Sequence, residues 1–248
     1  MFSFFKKKSE EPKGMQYFPI ELDIHSHILP GIDDGSPDVE TSIRLIKGLM
    51  EMGVKRSVAT PHIISDLYRN NPETIGNALR KLKDALAKEN IEFEVNAAAE
   101  YMLDSYFLEI MHSGQQLLTL KDNIILTEFS YAAMPDDPGK HSFAIQMAGY
   151  SPILAHPERY PYYYGNYKMY HRLVELGFML QLNLLSLTGY YGKEAVKAAD
   201  YMLKNELISF VGTDMHHERH LSMLQDPKTQ AILHRHLAHR SWNGFLED

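Results

Sequence analysis

Along the chain, short apolar runs alternate with longer stretches in which apolar residues recur every three or four positions. The first pattern suits buried strands and the second amphipathic helices. Strands are expected over 21–24, 56–60, 92–98, 124–127, 152–155, 178–182 and 208–211, with helices over 72–89, 139–148, 167–176, 193–204 and 229–239. The earliest helix has the clearest signals: Ser36 as N-cap, Pro37 at the first position, Val39, Ile43, Ile46 and Met50 on one stripe, and Gly53 as terminator. Strand-helix-strand crossovers are right-handed, so seven such strands form a parallel sheet or barrel. No composition break or linker-like run divides the chain. It reads as one domain over 20–248 behind an N-terminal extension over 1–19, expected to be flexible.

Composition narrows the chemistry. The 248 residues, 44% of them hydrophobic, suffice for one sizeable core. With no cysteine, disulfides, thiolate ligands and cysteine nucleophiles are all excluded, and a reducing compartment is the natural setting. A net charge of -7 argues against nucleic-acid binding, which needs clustered Lys and Arg. The opening MFSFFKKKSEEPKG places apolar residues before basic ones, the reverse of a secretory signal, and no run reaches transmembrane length. A cytoplasmic protein is expected. Phe2, Phe4, Phe5 and Lys6 to Lys8 leave open a flexible tail or a contact with a membrane surface or partner.

Polar residues at the strand ends carry the functional argument. The first strand runs into His25 and His27, the second into His62, the third into Glu100, the fourth into Glu128, the fifth into His156 and the seventh into Asp214 and His216. Singly, each is an ordinary polar residue after a strand, and His-x-His alone is weak. Together they deliver His, Asp or Glu to the C-terminal end of six strands of seven, the face where parallel barrels build their sites. Carboxylate and imidazole without sulfur suit Zn²⁺, Mn²⁺ or Fe rather than an all-oxygen Ca²⁺ or Mg²⁺ cage. The set exceeds the needs of one ion, so two or three ions and metal-dependent phosphoester hydrolysis follow as the leading expectation.

Other features have two readings. In GIDDGSP, Asp33 is either a turn residue or part of the site, while Asp34 is placed to reach back to the ions. Arg159 in HPERY and Arg219 in DMHHERH each follow a ligand candidate by three residues and are candidate phosphate clamps or surface ion-pair partners. The six tyrosines of YPYYYGNYKMY either rim the site and hold an aryl phosphate or simply pack. His234, His236 and His239 are expected on a solvated helix face. Asp23 shares parity with His25 and His27 and is either an orienting group or a core polar contact.

The ordered segments DIHSHILPGIDDGS, ATPH, AAAEY, ILTEFS, ILAHPERY and GTDMHH resemble the PHP (polymerase and histidinol phosphatase) superfamily, most closely its bacterial CpsB/YwqE-type branch of metal-dependent protein-tyrosine phosphatases. The resemblance implies a distorted (β/α)7 TIM-like barrel and a metal site, with Mn²⁺ first and Zn²⁺ or Fe as alternatives. By motif, His25, His27, Glu100 and Asp214 would hold one ion, Glu100, Glu128 and His156 a second, and Asp34, His62 and His216 a third. Hydrolysis of phosphotyrosine by a metal-activated hydroxide follows, with Arg159 the stronger phosphate ligand. Arg219 stands closer behind DMH than that branch's second arginine, and HIISDLYRNN departs from an Arg-rich loop, leaving Arg69 a weak candidate. The implied partner is a tyrosine-phosphorylated bacterial tyrosine kinase of capsular or exopolysaccharide synthesis. The alternative is a small-molecule phosphatase such as histidinol phosphatase.

Overall fold

The computed structural model describes residues 18–246. The expected N-terminal extension lies outside them apart from its last two residues, and Phe18 is already packed against the core while Pro19 is buried. The chain then builds β1 (Leu22–Asp23), α1 (Val39–Glu51), β2 (Arg56–Ala59), β3 (His62–Ile64), β4 (Tyr68–Arg69), α2 (Pro72–Lys88), β5 (Glu94–Ala97), β6 (Glu100–Met102), α3 (Ser105–His112), β7 (Ile124–Glu128), α4 (Pro138–Met147), β8 (Ser151–Ala155), α5 (Lys168–Glu175), β9 (Met179–Asn183), α6 (Lys193–Lys204), β10 (Ile208–Gly212), α7 (Glu218–Gln225) and α8 (Pro227–Leu237).

Two of the seven expected strands are each split in two. β1, β2 and β5 form one parallel sheet, and β10-β9-β8-β7-β6-β3 a second, to which β4 adds an antiparallel hairpin that the sequence pattern does not show. The splits fall at Thr60-Pro61 and Ala98-Ala99, where Pro61 has no N–H to give the ladder and the chain steps from one sheet into the other. Past β1 the chain pairs with the segment after β10: Asp214 N–H donates to His25 O, and His27 N–H to Met215 O, both at 2.8 Å. The strands are therefore hydrogen-bonded in a cyclic, interrupted order of mixed α/β type.

The strand period of two divides the core. On one face Leu22, Ile24, Ile124, Leu126, Ile153, Ala155 and Phe210 form a small apolar cluster closed by Leu246. The opposite face, with Ile125, Leu154, Leu180, Leu182 and Val211, joins the large cluster made with the helices. The first face is thus the inside of the cycle. α1 starts two residues later than expected: Asp38, not Ser36, is the N-cap, its carboxylate accepting from Thr41 N–H at 2.7 Å. Ser36 is held in the preceding turn, where its N–H donates to His27 O and its hydroxyl to Asp38 O. Gly35 is required there, because a Cβ would stand 2.1 Å from His27 O. α2 is closed by an Asn71/Thr74 capping box. α3 and α7, at eight residues each, were not expected, although α5, equally short, was.

Candidate metal centre

The strand ends, with the loop after β1 that carries Asp34, bring all nine ligand candidates to one end of the cycle. Nε2 of His25, Nε2 of His27, Oε2 of Glu100 and Oδ1 of Asp214 lie 3.2 to 3.4 Å apart across their His–carboxylate and His–His pairs. Ligand atoms bound at 2.0–2.2 Å to one ion stand roughly 3.0–3.5 Å from each other, so each of these pairs has the spacing of two ligands on one ion. Beside it, His156 Nε2 is 3.0 Å from Glu100 Oε1 and 4.0 Å from Glu128 Oε2. His62 faces two ways: Nδ1 lies 2.9 Å from Glu128 Oε1, and Nε2 lies 3.6 Å from Asp34 Oδ1, which is 3.7 Å from His216 Nε2. Among the described residues these atoms fall into four overlapping groups, His25/His27/Glu100, His25/His156/Asp214, His62/Glu100/Glu128 and His27/Asp34/His62/His216. The candidates that the resemblance implies are all present but are partitioned differently: His156 groups with His25 and Asp214, and His27 joins Asp34, His62 and His216.

The donor chemistry fits cations. His62 Nδ1 and Glu128 Oε1 are buried and close, yet neither has a hydrogen-bond partner. Buried polar atoms are normally paired, and these two, 2.9 Å apart as imidazole nitrogen and carboxylate oxygen, are the donor types that a divalent cation takes. Charge compensation points the same way. Burial works against ionised Glu100, but His25 and His62 beside it hold it well below the carboxylate range. Burial and Glu100 push Glu128 up. His62 rises to about 9 against its burial because of Glu128, while burial takes His156 and His216 down to about 4.

Local backbone serves the same end. His156 (φ 37°), directly after β8, and Asp214 (φ 51°), two residues past β10, are in the left-handed region, which costs a non-glycine residue about 1 kcal/mol or more and is sustained only where surrounding structure dictates it. Asp33 resolves its two readings. Its Oδ2 accepts from His27 Nδ1–H at 2.8 Å while Oδ1 accepts from Gly35 N–H, so it is both turn and orienting carboxylate, leaving His27 Nε2 for the cluster. Asp23 binds Thr213 and the His25 backbone N–H rather than a ligand side chain, bracing β1 against the chain that carries Asp214.

Other candidates separate. Arg159 lines the cavity of about 270 Å³ above the cluster. Its Nη1 donates to Asp214 Oδ2 at 2.6 Å, and its guanidinium lies 4.1 Å from the Tyr191 ring centre and 5.0 Å from that of Tyr131. Arg219, exposed on the first turn of α7, lies over Tyr190 and is not part of the cavity wall, where His217 and His220 stand instead. Arg69 is exposed and donates to Ser65 O. Of the six clustered tyrosines, Tyr160, Tyr163 and Tyr170 are buried, and Tyr160 OH braces Ala155 O and Phe129 N–H. The aromatic rim is made by Tyr131 and Tyr191, neither of which the sequence signals. His234, His236 and His239 lie on or just past α8, away from the cavity.

Fold and site together define an α/β protein with a candidate carboxylate–histidine metal centre where its parallel strands end. The chain belongs to the capsular polysaccharide synthesis family CpsB/CapC, whose model matches residues 21–239. It is 33% identical over 196 residues to the tyrosine-protein phosphatase YwqE of Bacillus subtilis, covering 79% of this chain and 77% of that one. Identity to the tyrosine-protein phosphatase CpsB of Streptococcus pneumoniae is 30% over 204 residues, covering 79% and 82%. A chain from the crystal structures of YwqE and CpsB, described there as unique metal-dependent tyrosine phosphatases, superposes with a TM-score of 0.76 at 31% identity over 86% of each chain. Histidinol phosphate phosphatase of Lactococcus lactis shares the fold (TM-score 0.53, 13% identity, covering 90% of this chain and 94% of that one).

Proposed function

We propose that this protein is a metal-dependent protein-tyrosine phosphatase, a single metallophosphatase domain over 20–248. The observation that carries the reading is Arg159, fixed by Asp214 at the cluster and flanked by two aromatic rings at the mouth of the cavity. His25, His27, Asp34, His62, Glu100, Glu128, His156, Asp214 and His216 would hold two or three divalent ions, with Mn²⁺ the first candidate and Zn²⁺ or Fe the alternatives. Such ions make water nucleophilic at neutral pH and neutralise phosphoryl charge. A guanidinium has five N–H donors in a fixed fork, so Arg159 can bond Asp214 and still present donors to two phosphoryl oxygens. Tyr131 stacks on His156, its hydroxyl 3.1 Å from Nδ1, and with Tyr191 gives the cavity wall aromatic surface for a phenyl ring to pack on. With no cysteine in the chain, a cysteinyl-phosphate route is closed. The proposed substrate is a phosphorylated bacterial tyrosine kinase of capsule or exopolysaccharide synthesis in the cytoplasm. Among the described residues no helix is long and apolar enough to cross a membrane.

The test is kcat/KM on a phosphotyrosyl peptide against histidinol phosphate, using one protein preparation stripped of metal and reloaded with Mn²⁺, Zn²⁺ or Fe²⁺. The peptide is expected to be preferred and activity to vanish on chelation. Preference for histidinol phosphate, or activity surviving exhaustive EDTA, overturns the reading.

A further inference from the structure

Neither β9 nor the segment directly after it supplies a ligand candidate, yet the inward positions of β9 after Met179 are Gln181 and Asn183, both fully buried. These side chains connect two members of the cluster. Asn183 Nδ2 lies 2.7 Å from Asp214 Oδ2, Gln181 Nε2 lies 3.1 Å from Asn183 Oδ1, and Gln181 Oε1 lies 2.8 Å from His25 Nδ1. The backbone fixes the pair from outside: Glu158 Oε1 accepts from Asn183 N–H, and Gly212 has no Cβ where one would stand 2.7 Å from His25 Cβ and 3.0 Å from Gln181 Nε2.

A chain of amides has a direction. An ionised Asp214 only accepts, so the Asn183 atom facing it must be the NH₂ group. Asn183 Oδ1 then faces Gln181 and accepts from its NH₂, which turns Gln181 Oε1 toward His25. That oxygen also only accepts, so His25 Nδ1 must carry the proton. We propose that Gln181 and Asn183 are positioning residues: a one-way hydrogen-bond relay from Asp214 that holds His25 as the Nδ1–H form and commits Nε2 to the metal. Nε2 already lies 3.2 Å from Glu100 Oε2 and 3.4 Å from Asp214 Oδ1. Asp214 thereby acts twice, through Oδ1 in the cluster and through Oδ2 on the orientation of a neighbouring ligand. His27 is oriented directly by Asp33, whereas His25 is oriented through two neutral amides that add no charge to the site.

This inference rests on the cluster being a metal site but not on its substrate, so its test uses no phosphatase assay. Zn²⁺ is titrated into metal-free protein, and the loaded protein, ¹⁵N-labelled at histidine, is read by NMR, with the His25 signals assigned by their loss in His25→Gln. In the parent protein His25 is expected to show a protonated, slowly exchanging Nδ1 and a zinc-bound Nε2. Asn183→Leu, which removes the relay without replacing a group bonded to His25, is expected to weaken Zn²⁺ binding about 10–100-fold and to speed exchange of the His25 Nδ1 proton. Gln181→Met is expected to do the same, while metal-free thermal unfolding separates this loss from misfolding. Zinc on Nδ1 of His25 in the parent protein, a measurement that needs no variant to fold, overturns the proposal, as does Zn²⁺ affinity within twofold of the parent in both variants.

Discussion

On β7, Ile124 and Leu126 face the inside of the strand cycle and Glu128, next on the same face, enters the candidate metal cluster. On β9 the same face runs from Met179 to Gln181 and Asn183. Two successive layers of one interior thus have opposite characters. The lower contains apolar side chains and gains stability from burial, at about 25 cal/mol per Å² removed from water. The upper buries carboxylates and imidazoles that must compensate one another, a net cost unless ions complete the arrangement. It also holds the two left-handed ligand candidates, His156 and Asp214. The lower layer stabilises the fold, and the upper layer spends some of that stability on a site.

The sharpest way to break the comparison is to change one residue in each layer. Glu100 lies within 3.3 Å of four imidazoles, and Glu100→Gln is expected to lower activity by about 10³-fold or more, with loss of bound metal measured on the same sample. Metal raises the parent's Tm by mass action, and this increment should disappear in the variant. An unchanged increment would remove Glu100 from the metal site. Leu126→Ala should do the opposite: about 3 kcal/mol of stability lost to a cavity, read by denaturant unfolding, with metal content preserved.

The ligand candidates were legible in the sequence because most are charged or imidazole side chains just after a short apolar run, so chain order alone placed them at one end. What surrounds them was not. Gln181 and Asn183 are neutral amides in MLQLN, and nothing local distinguishes a relay from ordinary strand polarity. Tyr131 and Tyr191 line the cavity through tertiary packing, while the conspicuous tyrosine run went largely into the core. The breaks at Thr60-Pro61 and Ala98-Ala99 follow from how two sheets share the same strands, which the period of two does not encode. Arg159 and Arg219 looked alike in sequence, each three residues past a ligand candidate. One follows a tight 3-10 turn, Pro157–Arg159, back over the cluster, and the other is on the exposed side of a helix.

That contrast gives a third test. Arg159→Lys retains the charge but loses the fork, and is expected to lower kcat/KM on a phosphotyrosyl peptide about 10²-fold without loss of metal. Arg219→Lys should stay within a few-fold of the parent. Equal losses in the two variants would show that charge near the mouth, rather than the held guanidinium, is what matters.

The smallest expected effect is one of pH, at the seam between the layers. Glu158 is fully buried, its Oε1 accepting from Asn183 N–H and Ser186 Oγ–H while Oε2 has no partner, and burial pushes its carboxyl up to about 7. An unfolded glutamate loses its proton near 4.5, so between the two values the native state binds more protons than the unfolded state, and stability must fall as pH rises. The contribution is fully present below about pH 4.5 and lost as pH passes 7, amounting to about 2 kcal/mol between pH 5 and 7. Glu158→Gln keeps an acceptor for Asn183 and Ser186 but cannot ionise. The difference in Tm between variant and parent, at matched metal content, should therefore grow in the variant's favour from pH 5 to 7. A difference that stays flat would mean that Glu158 is ionised in the folded protein throughout this range and that a cation reaches Oε2, placing the seam with the charged layer rather than the apolar one.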